Sequence, residues 1–367
     1  MDTLASARTP LHPLHDRLGA KFVAFAGYDM PVHYPSGVLA EHLHTRTSAS
    51  LFDVSHMGQV RLRGPGAIPA LERLVPGDIA GLLVGQMRYT QFTNEQGGIL
   101  DDLMVTRGKD HLDLVVNAGT KRSDLEHLRD RLPGNIDIDY LEDRALLAVQ
   151  GPAAMSVIAR QLPVLANMAF MTAAEAKLYG IACSVTRSGY TGEDGYEISV
   201  RSASAIELAE ALLTEPEIRP AGLGARDSLR LEAGLCLYGH DIDITTTPVE
   251  AGLLWSIGKR RRIDGGFPGA DIIKRQIAEG SPRRRVGILP EGRAPAREHT
   301  EIREDGKTIG IVTSGGYGPS LGRPIAMGYV ATGSAFAGAP LDLIVRETPR
   351  PARVVPLPFI PTRYFRV

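Results

Sequence analysis

The chain has 367 residues, of which 43% are hydrophobic, so it can bury more than one core and should form two or three domains. Its 41 basic and 42 acidic side chains almost balance, which excludes a nucleic-acid or membrane binder recognised by overall charge. No apolar run reaches the roughly 18 residues that span a bilayer, and the first residues lack the order of a signal peptide. Cys183 and Cys236 are far apart and fit no zinc or disulfide pattern, so a reducing, cytoplasmic setting is expected.

The amino-terminal part of the chain predicts a mixture of short elements. After a segment rich in Pro, Gly and His, a helix is expected to begin at Ser36-Gly37. The stretch from Leu51 to Leu62 is predicted to form one strand, and a helix over Ala67 to Val75 follows a Gly-Pro-Gly break. No metal site is expected, because the histidines of this region are unevenly spaced and lack acidic partners: His12, His15, His42 and His44.

A three-stranded meander is predicted next, with strands over Gln86 to Thr93, Gly97 to Val105 and His111 to Asn117. Pairing outward from the two turns places Tyr89 opposite Asp102, and Asp102 opposite Val115 with Asn117 diagonal to it. A phenol, a carboxylate and an amide would then share one face of the sheet. A slip of one residue in either hairpin would exchange the faces.

Two adjacent carboxylates, Asp101 and Asp102, interrupt a strand whose apolar residues lie on both sides of the alternation. A buried charge without a partner costs several kcal/mol, roughly, so these groups require hydrogen-bond donors or a bound ligand. Capping a turn or meeting a buried arginine is the alternative, and it is favoured for Asp101. Asp102 is the stronger candidate for function.

The middle of the chain predicts α+β architecture. A helix is expected over Lys121 to Leu132, a strand over Ala145 to Val149, and a helix opened by Gly151-Pro152. Because these elements interleave without regular β-α-β spacing, a parallel doubly wound sheet is not expected.

A glycine-rich loop from Arg187 to Gly195 leads into a strand that carries Glu197. A phosphate-binding loop is excluded, because no Gly-Lys-Ser/Thr is present, the loop is acidic, and a strand follows it where a helix should. Tyr196, Ile198 and Val200 should share one face of that strand and Glu197 the other. Glu197 is therefore either a ligand-binding carboxylate or part of a solvated strand edge.

The segment Gly222 to Gly234 predicts a helix with Arg226 in its first turn, where the helix dipole disfavours a cation. A guanidinium in such a position usually binds an anion, which is either a neighbouring acidic side chain or a ligand. Both sources remain open from the sequence.

The carboxy-terminal third contains two basic runs, Lys259 to Arg262 and Arg283 to Arg285. They are either solvated faces or a docking site for an acidic partner. Short strands at close intervals from Val286 onward, with an Asp305-Gly306 turn, predict a small barrel or jelly-roll domain.

Taken together, these segments resemble the glycine cleavage system T-protein family of aminomethyltransferases. The resemblance covers nearly the whole chain, and its specificity comes from long motifs in the right order. Those motifs are Phe52-Asp53-Val54-Ser55-His56-Met57-Gly58, Gly97-Gly98-Ile99-Leu100-Asp101-Asp102-Leu103, the run from Arg187 to Glu197, the run from Gly222 to Ala233, Thr313-Ser314-Gly315 and Pro358-Phe359-Ile360-Pro361-Thr362.

The resemblance implies an α+β fold of three domains arranged as a cloverleaf around a central folate cavity. Residues 1–50 and 140–240 would form a discontinuous folate-binding domain, 51–139 and 241–280 a second α+β domain, and 281–367 a barrel. It also implies transfer of a one-carbon unit from the aminomethyl-lipoyl arm of H-protein to tetrahydrofolate, which yields 5,10-methylenetetrahydrofolate and ammonia.

Matching motifs imply a catalytic role for Asp102, near the reacting nitrogens. They also imply a folate site, which comprises Tyr89, Asn117, Tyr190, Glu197, Arg226 and, from the tail, Tyr364. Chemistry agrees for Glu197, because a carboxylate accepts two parallel hydrogen bonds from the N–H and amino group at a pteridine edge. A fixed carboxylate at Asp102 would stabilise positive charge that develops as ammonia leaves.

Two alternatives share this fold and differ in chemistry. One is a folate-dependent demethylase of a small methylated substrate, and the other is a non-catalytic folate-binding accessory protein. The accessory group carries a cysteine-containing glycine-rich signature, whereas Cys236 here lies in a segment that resembles the T-protein pattern.

Overall fold

The computed structural model describes residues 6–366, and all structural statements below concern this part of the chain. Its helices are α1 (His12–Arg17), α2 (Val38–Thr47), α3 (Ala67–Glu72), α4 (Lys121–Arg131), α5 (Ala154–Gln161), α6 (Ser202–Leu213), α7 (Leu223–Glu232), α8 (Lys259–Asp264) and α9 (Ala270–Glu279). Short 3-10 turns lie at Pro163–Asn167, Leu254–Ser256 and Thr332–Ser334.

The strands are β1 (Lys21–Phe25), β2 (Tyr28–His33), β3 (Ala49–Asp53), β4 (Gly58–Arg63), β5 (Met87–Thr93), β6 (Ile99–Arg107), β7 (His111–Val116), β8 (Asp137–Tyr140), β9 (Arg144–Gln150), β10 (Ala173–Leu178), β11 (Ile181–Thr186), β12 (Gly195–Arg201), β13 (Ile218–Pro220), β14 (Arg283–Pro290), β15 (Glu301–Glu304), β16 (Lys307–Gly318), β17 (Arg323–Ala331), β18 (Pro340–Val345) and β19 (Thr348–Val355). Strands β1 and β2 form a separate hairpin.

The first large sheet has the strand order β10-β11-β12-β9-β3-β13, antiparallel except for the β13–β3 pair. Its core includes Tyr196, Ile198 and Val200, which are fully buried on one face as their alternation predicts. The opposite face packs on α7 through Phe52, Ala148 and Leu229, among others. Because both faces are covered, this sheet can hold α7 in a fixed position.

The second sheet has the order β5-β6-β7-β4-β8 and is antiparallel throughout. Side chains on one of its faces, such as Leu103 and Val105, pack with those of α3 and α4 around a second core. The meander is therefore present as predicted, and β6 extends two residues beyond its predicted end at Val105.

The registers of the meander differ from the prediction by two residues. Asp102 lies opposite Gln91, Tyr89 lies opposite Met104, and Val115 also pairs with Met104. The first hairpin turn is one residue longer than assumed, and a β-bulge next to Phe92 adds one more. Since two is the period of a strand, Tyr89 and Asp102 nevertheless share a face.

The predicted strand from Leu51 to Leu62 is wrong, because the chain breaks there into β3 and β4, which belong to different sheets. Asp53 Oδ1 accepts a hydrogen bond from the Ser55 backbone N–H at 2.9 Å, and the Met57 N–H donates to the Val54 carbonyl at 3.1 Å. An aspartate that binds the backbone two residues on makes a local turn and ends the strand.

The carboxy-terminal part forms a closed six-stranded barrel in the order β14-β17-β16-β15-β18-β19. This confirms the α+β class with a carboxy-terminal barrel. The three domain ranges remain a prediction, and the boundary predicted between residues 50 and 51 falls within β3 of the first sheet.

A buried ionic cluster around Glu232 joins the barrel and tail to the first sheet. Glu232 Oε2 accepts from Arg46 Nη2 at 3.0 Å and lies 3.1 Å from His42 Nε2, and Oε1 accepts from the Ser320 N–H at 2.7 Å. The Glu232 carbonyl accepts from the Phe359 N–H at 3.0 Å. Glu232 therefore holds groups from α2 and the barrel through its carboxylate and the tail through its backbone carbonyl.

Candidate functional site

Asp102 lies on β6 at the centre of the polar face predicted from the sequence. Asn117, which immediately follows β7, donates its Nδ2 to Asp102 Oδ1 at 2.7 Å and to Asp101 Oδ1 at 2.9 Å. The Asn117 backbone N–H donates to Asp101 Oδ2 at 3.2 Å. A single amide nitrogen therefore lies within hydrogen-bond distance of both carboxylates and fixes them close to each other.

The pKa of Asp102 is raised to about 7, first by burial and second by the charge of Asp101. Hydrogen bonds from the Tyr89 hydroxyl and from Asn117 act in the opposite direction. A carboxyl group that titrates near neutral pH can both hold and release a proton under ordinary conditions. This property distinguishes Asp102 from a carboxylate that merely caps a turn.

Tyr89 flanks Asp102 on the same face, and the ring of Trp255 stacks on Tyr89 with 5.2 Å between ring centroids. Burial and then the charge of Asp102 hold the pKa of Tyr89 well above its usual range. The phenol is therefore a hydrogen-bond donor at neutral pH. Trp255 itself is 63% exposed, so one aromatic pair reaches from the carboxylate to the protein surface.

The glycine-rich loop brings two further predicted residues, Tyr190 and Glu197, to the same region. The Tyr190 hydroxyl donates to the Cys236 carbonyl, and the charges of both Asp102 and Arg226 act on that hydroxyl. Glu197 Oε2 accepts from Ser188 Oγ at 2.9 Å. Within residues 6–366, no donor contacts Glu197 Oε1, so half of this carboxylate is available to a ligand.

Arg226 lies in the first turn of α7, with its guanidinium 4.7 Å above the ring of Tyr190. Burial lowers its pKa, and the nearby charge of Glu197 opposes that effect. In the described part of the chain Arg226 forms no ion pair, and its buried Nη1 has no hydrogen-bond partner. A structural ion pair therefore does not explain why an arginine stands at this position. A hydrogen-bond acceptor on a ligand would satisfy the unpartnered nitrogen.

Six of the predicted residues are thus linked by contacts or by mutual electrostatic effects: Asp102, Tyr89, Asn117, Tyr190, Glu197 and Arg226. Tyr364 is placed differently. Its ring stacks on Phe170 at 4.0 Å, and its pKa is raised to about 12 by burial, with Arg366, Arg46 and Glu193 as the neighbouring charges. The tail segment that carries it crosses the glycine-rich loop, where the Arg363 N–H donates to the Gly192 carbonyl at 2.8 Å.

Most of the first basic run is bound within the molecule. Arg260 contacts Glu72 and Asp78 at 2.7 Å each, Arg261 donates to the Glu72 carbonyl at 2.7 Å, and Arg262 donates to the Leu254 carbonyl at 2.6 Å. In the second run, Arg285 donates to the carbonyls of Ala251 and Gly234 at 2.9 Å each. These guanidinium groups form hydrogen bonds and ion pairs with adjoining segments of the chain, so neither basic run is only a solvent-exposed charged surface.

Several residues near the site were not assigned from the sequence. Gln91 pairs with Asp102 across the strands, Trp255 stacks on Tyr89, and Asp124 of α4 lies beside Asp101. The single tryptophan and the acidic residue in a helix first turn were visible signals, but neither specifies a partner. Among residues 6–366, no group of three or more His, Cys, Asp and Glu side chains is suited to a metal ion.

The fold and site define a class of protein. It is an α+β protein with a closed carboxy-terminal barrel and a partly buried carboxyl group whose pKa is near 7, in a region that also contains aromatic and guanidinium groups. Two family models match the chain. The GCVT N-terminal domain matches residues 11–261, and the glycine cleavage T-protein C-terminal barrel domain matches residues 283–360.

Known proteins agree with those models. The mitochondrial aminomethyltransferase of Gallus gallus is 50% identical over 368 residues, which cover 98% of this chain and 93% of that protein. That of Dictyostelium discoideum is 46% identical over 376 residues, with 97% and 93% covered. The crystal structure of glycine cleavage system aminomethyltransferase T from Bartonella henselae matches with a TM-score of 0.93 and 44% identity, over 98% of this chain and 99% of that one. The chain belongs to the glycine cleavage T-protein family.

No helix in the described residues is both long and apolar enough to cross a membrane. Both cysteines are buried and free.

Proposed function

We propose that this protein is an aminomethyltransferase of the glycine cleavage system that uses tetrahydrofolate as its cosubstrate. The donor would be the aminomethyl-dihydrolipoyl arm of H-protein, and the products 5,10-methylenetetrahydrofolate, ammonia and the free dithiol. The names of the relatives support the activity. The observation that carries the proposal is that, within residues 6–366, Glu197 Oε1 and Arg226 Nη1 have no hydrogen-bond partner, and both groups belong to the region where the charges of Asp102 and Arg226 act on Tyr190.

The free groups fit a reduced folate. Glu197 Oε1 has no donor among the described residues, so the carboxylate can accept from the N–H and amino group of a pteridine edge. The unpartnered Nη1 of Arg226 can donate to a carbonyl or carboxylate oxygen of the same ligand. Tyr89 and Tyr190 supply flat apolar surfaces between these polar groups. The residues present therefore match the chemistry of a pterin.

Tetrahydrofolate, when bound, supplies the two nitrogens that accept the transferred carbon. Asn117 and Tyr89 hold the Asp102 carboxylate in a fixed position before reaction, and in the proposed complex it would lie beside those nitrogens. In the ionised form it stabilises positive charge that develops as ammonia leaves, and it can accept a proton from the acceptor nitrogen. A pKa near 7 suits both tasks.

Other parts of the proposal concern partners and setting. H-protein is the proposed carrier, with a docking surface other than Arg260 to Arg262, because those guanidinium groups are already bound within the molecule. A contribution of Tyr364 to folate binding stays a prediction, since its ring packs on Phe170. A cytoplasmic setting also stays a prediction.

Replacing Glu197 by glutamine should weaken folate binding about 10- to 100-fold, because hydrogen bonds to a charged group contribute roughly 1.5–3 kcal/mol. Tetrahydrofolate should raise the melting temperature of the wild-type protein, and a higher concentration should be needed for the same shift in Glu197→Gln. Glu207→Gln is the matched control, because Glu207 is exposed on α6. Equal tetrahydrofolate titration curves for all three proteins would remove Glu197 from the site.

The turnover rate should depend on pH through Asp102. Because the ionised form is the proposed active form and its pKa is about 7, kcat/KM should fall about tenfold per pH unit below pH 7. It should level off near pH 8. Ammonia release from aminomethylated H-protein, measured between pH 5.5 and 8.5 with tetrahydrofolate present, tests this. A rate that decreases between pH 6 and pH 8 would assign activity to the protonated acid instead.

A further inference from the structure

Three carboxyl groups lie together at the junction of β6 and α4. Asp101 is 0% exposed and Asp124 is 3% exposed, while Asp102 is partly buried beside them. Within residues 6–366, none of the three forms an ion pair with a lysine, arginine or histidine. Three negative charges in so small a buried volume would repel each other strongly, so at least one of these groups must be neutralised.

A proton is the available means of neutralisation. Among residues 6–366, no group of three or more His, Cys, Asp and Glu side chains could hold a metal ion. His127, one turn after Asp124 on α4, packs on Phe92, and burial lowers its pKa, so it adds no positive charge at neutral pH.

Hydrogen-bond accounting places that proton on Asp124. Asn117 already donates to Asp101 through both its side chain and its backbone, and its Nδ2 also donates to Asp102. These donors stabilise the ionised forms of Asp101 and Asp102. Asp124 receives no hydrogen bond from Asn117, and its buried Oδ2 has no hydrogen-bond partner in the part of the chain that the structure describes. The Asp101 carboxylate and the Thr120 hydroxyl are the hydrogen-bonding groups that act on the pKa of Asp124, and its backbone N–H donates to the Thr120 carbonyl at 2.9 Å.

We propose that Asp124 is a positioning residue that stays protonated at neutral pH and donates this proton in a hydrogen bond to Asp101. That bond fixes Asp101, which together with Asn117 holds Asp102 in its working orientation. The role toward Asp102 rests on the proposed function, whereas the protonation of Asp124 does not.

The titration behaviour agrees with this geometry. The pKa of Asp124 is raised to about 9, first by burial and then by the charge of Asp101. The other groups that face the pair are Asp102 on β6, Asn117 and Thr120 before α4, and the Tyr238 hydroxyl, whose pKa is raised to about 12 by burial and by the charge of Asp101.

Thermal unfolding of Asp124→Asn tests the protonation without any substrate. If Asp124 is neutral in the folded state, the wild-type protein takes up a proton on folding between about pH 4 and pH 9, and its stability falls with rising pH over that range. Asparagine does not titrate, so Asp124→Asn removes this loss of stability at high pH, and its amide can still donate a hydrogen bond to Asp101. The melting temperature of Asp124→Asn minus that of wild type should therefore increase from pH 4.5 to pH 8.5, by at least about 2 °C.

Asp130→Asn is the control on the same helix, because Asp130 is exposed, and its difference from wild type should change little with pH. A difference for Asp124→Asn that is flat, or that decreases as pH rises, would overturn the protonated state. This outcome is independent of whether the protein transfers aminomethyl groups.

Turnover tests the positioning role. Asp124→Asn should keep kcat within about threefold of wild type at pH 7.5, since the amide donates as the acid does. We expect kcat of the wild type to decline above about pH 9, where Asp124 ionises, and Asp124→Asn should lose that decline. Asp124→Leu, similar in size but without a donor, should lose at least about tenfold in kcat. Wild-type kcat in Asp124→Leu, or an unchanged alkaline decline in Asp124→Asn, would overturn the role.

Discussion

Replacing Asp102 by asparagine is expected to lower kcat about 100- to 1,000-fold while leaving the fold and folate binding unchanged. This range is the effect of removing one fixed group that stabilises transition-state charge. The amide is similar in shape, and its oxygen can still accept the 2.7 Å hydrogen bond from Asn117. What is lost is the negative charge and the ability to accept a proton.

The measurement is single-turnover ammonia release from aminomethylated H-protein, paired with the melting-temperature shift that tetrahydrofolate produces. Asp137→Asn is the control, because Asp137 is exposed on the edge strand β8 of the same sheet. Near-wild-type turnover in Asp102→Asn would discard the catalytic role. Loss of the tetrahydrofolate-dependent shift would assign Asp102 to binding instead.

Replacing Glu232 by glutamine is expected to destabilise the protein by about 3–5 kcal/mol, the usual cost of removing one partner from a buried ion pair. Arg46 and His42 would lose their shared carboxylate oxygen, and the donors of the amide would face them. Because Glu232 also holds Ser320 of the barrel, barrel docking should weaken together with the first sheet.

The destabilisation caused by Glu232→Gln should depend on pH because of the pKa of Glu232. Burial raises this pKa, but the partners of the carboxylate, His42 first, lower it to about 2. A depressed carboxyl pKa stabilises the folded state above about pH 4.5, and that contribution is lost as pH falls toward 2. The gap between the urea midpoints of wild type and Glu232→Gln should therefore be widest near pH 7 and narrow below pH 4.5. Glu279→Gln, exposed at the end of α9, should match wild type throughout. An equal midpoint for Glu232→Gln at pH 7 would show that the cluster adds no stability.

Local patterns explain which features could be predicted from the sequence. The alternation of buried residues in β6 and β12 was sufficient to predict which face of the strand carries Asp102 and which carries Glu197. Once one set of alternate side chains is buried, the other set must lie on the opposite face. The register was wrong by two residues, because neither turn length nor a bulge beside Phe92 leaves a clear signal in the chain. The break at Asp53 was missed because its side chain ends the strand through a local hydrogen bond.

Long-range partners account for what could not be predicted. Arg226 was singled out by its unfavourable place in a helix first turn, but only the folded structure shows that no acidic side chain among residues 6–366 forms an ion pair with it. Asp124 and Glu232 carry no unusual local sequence, and their importance arises from residues distant in the chain, such as Asp101 for the first and Arg46 for the second.

Asp102 is proposed to act beside a bound reduced folate, to which the carbon is transferred. Single-turnover reaction of H-protein carrying a ¹³C-labelled aminomethyl group, with and without tetrahydrofolate, tests it most directly. The label should appear in 5,10-methylenetetrahydrofolate together with an equal amount of ammonia, and much faster with folate than without. Release of the label as formaldehyde at the same rate with and without folate, or transfer only from a small methylated substrate, would rule out this role of Asp102 and folate.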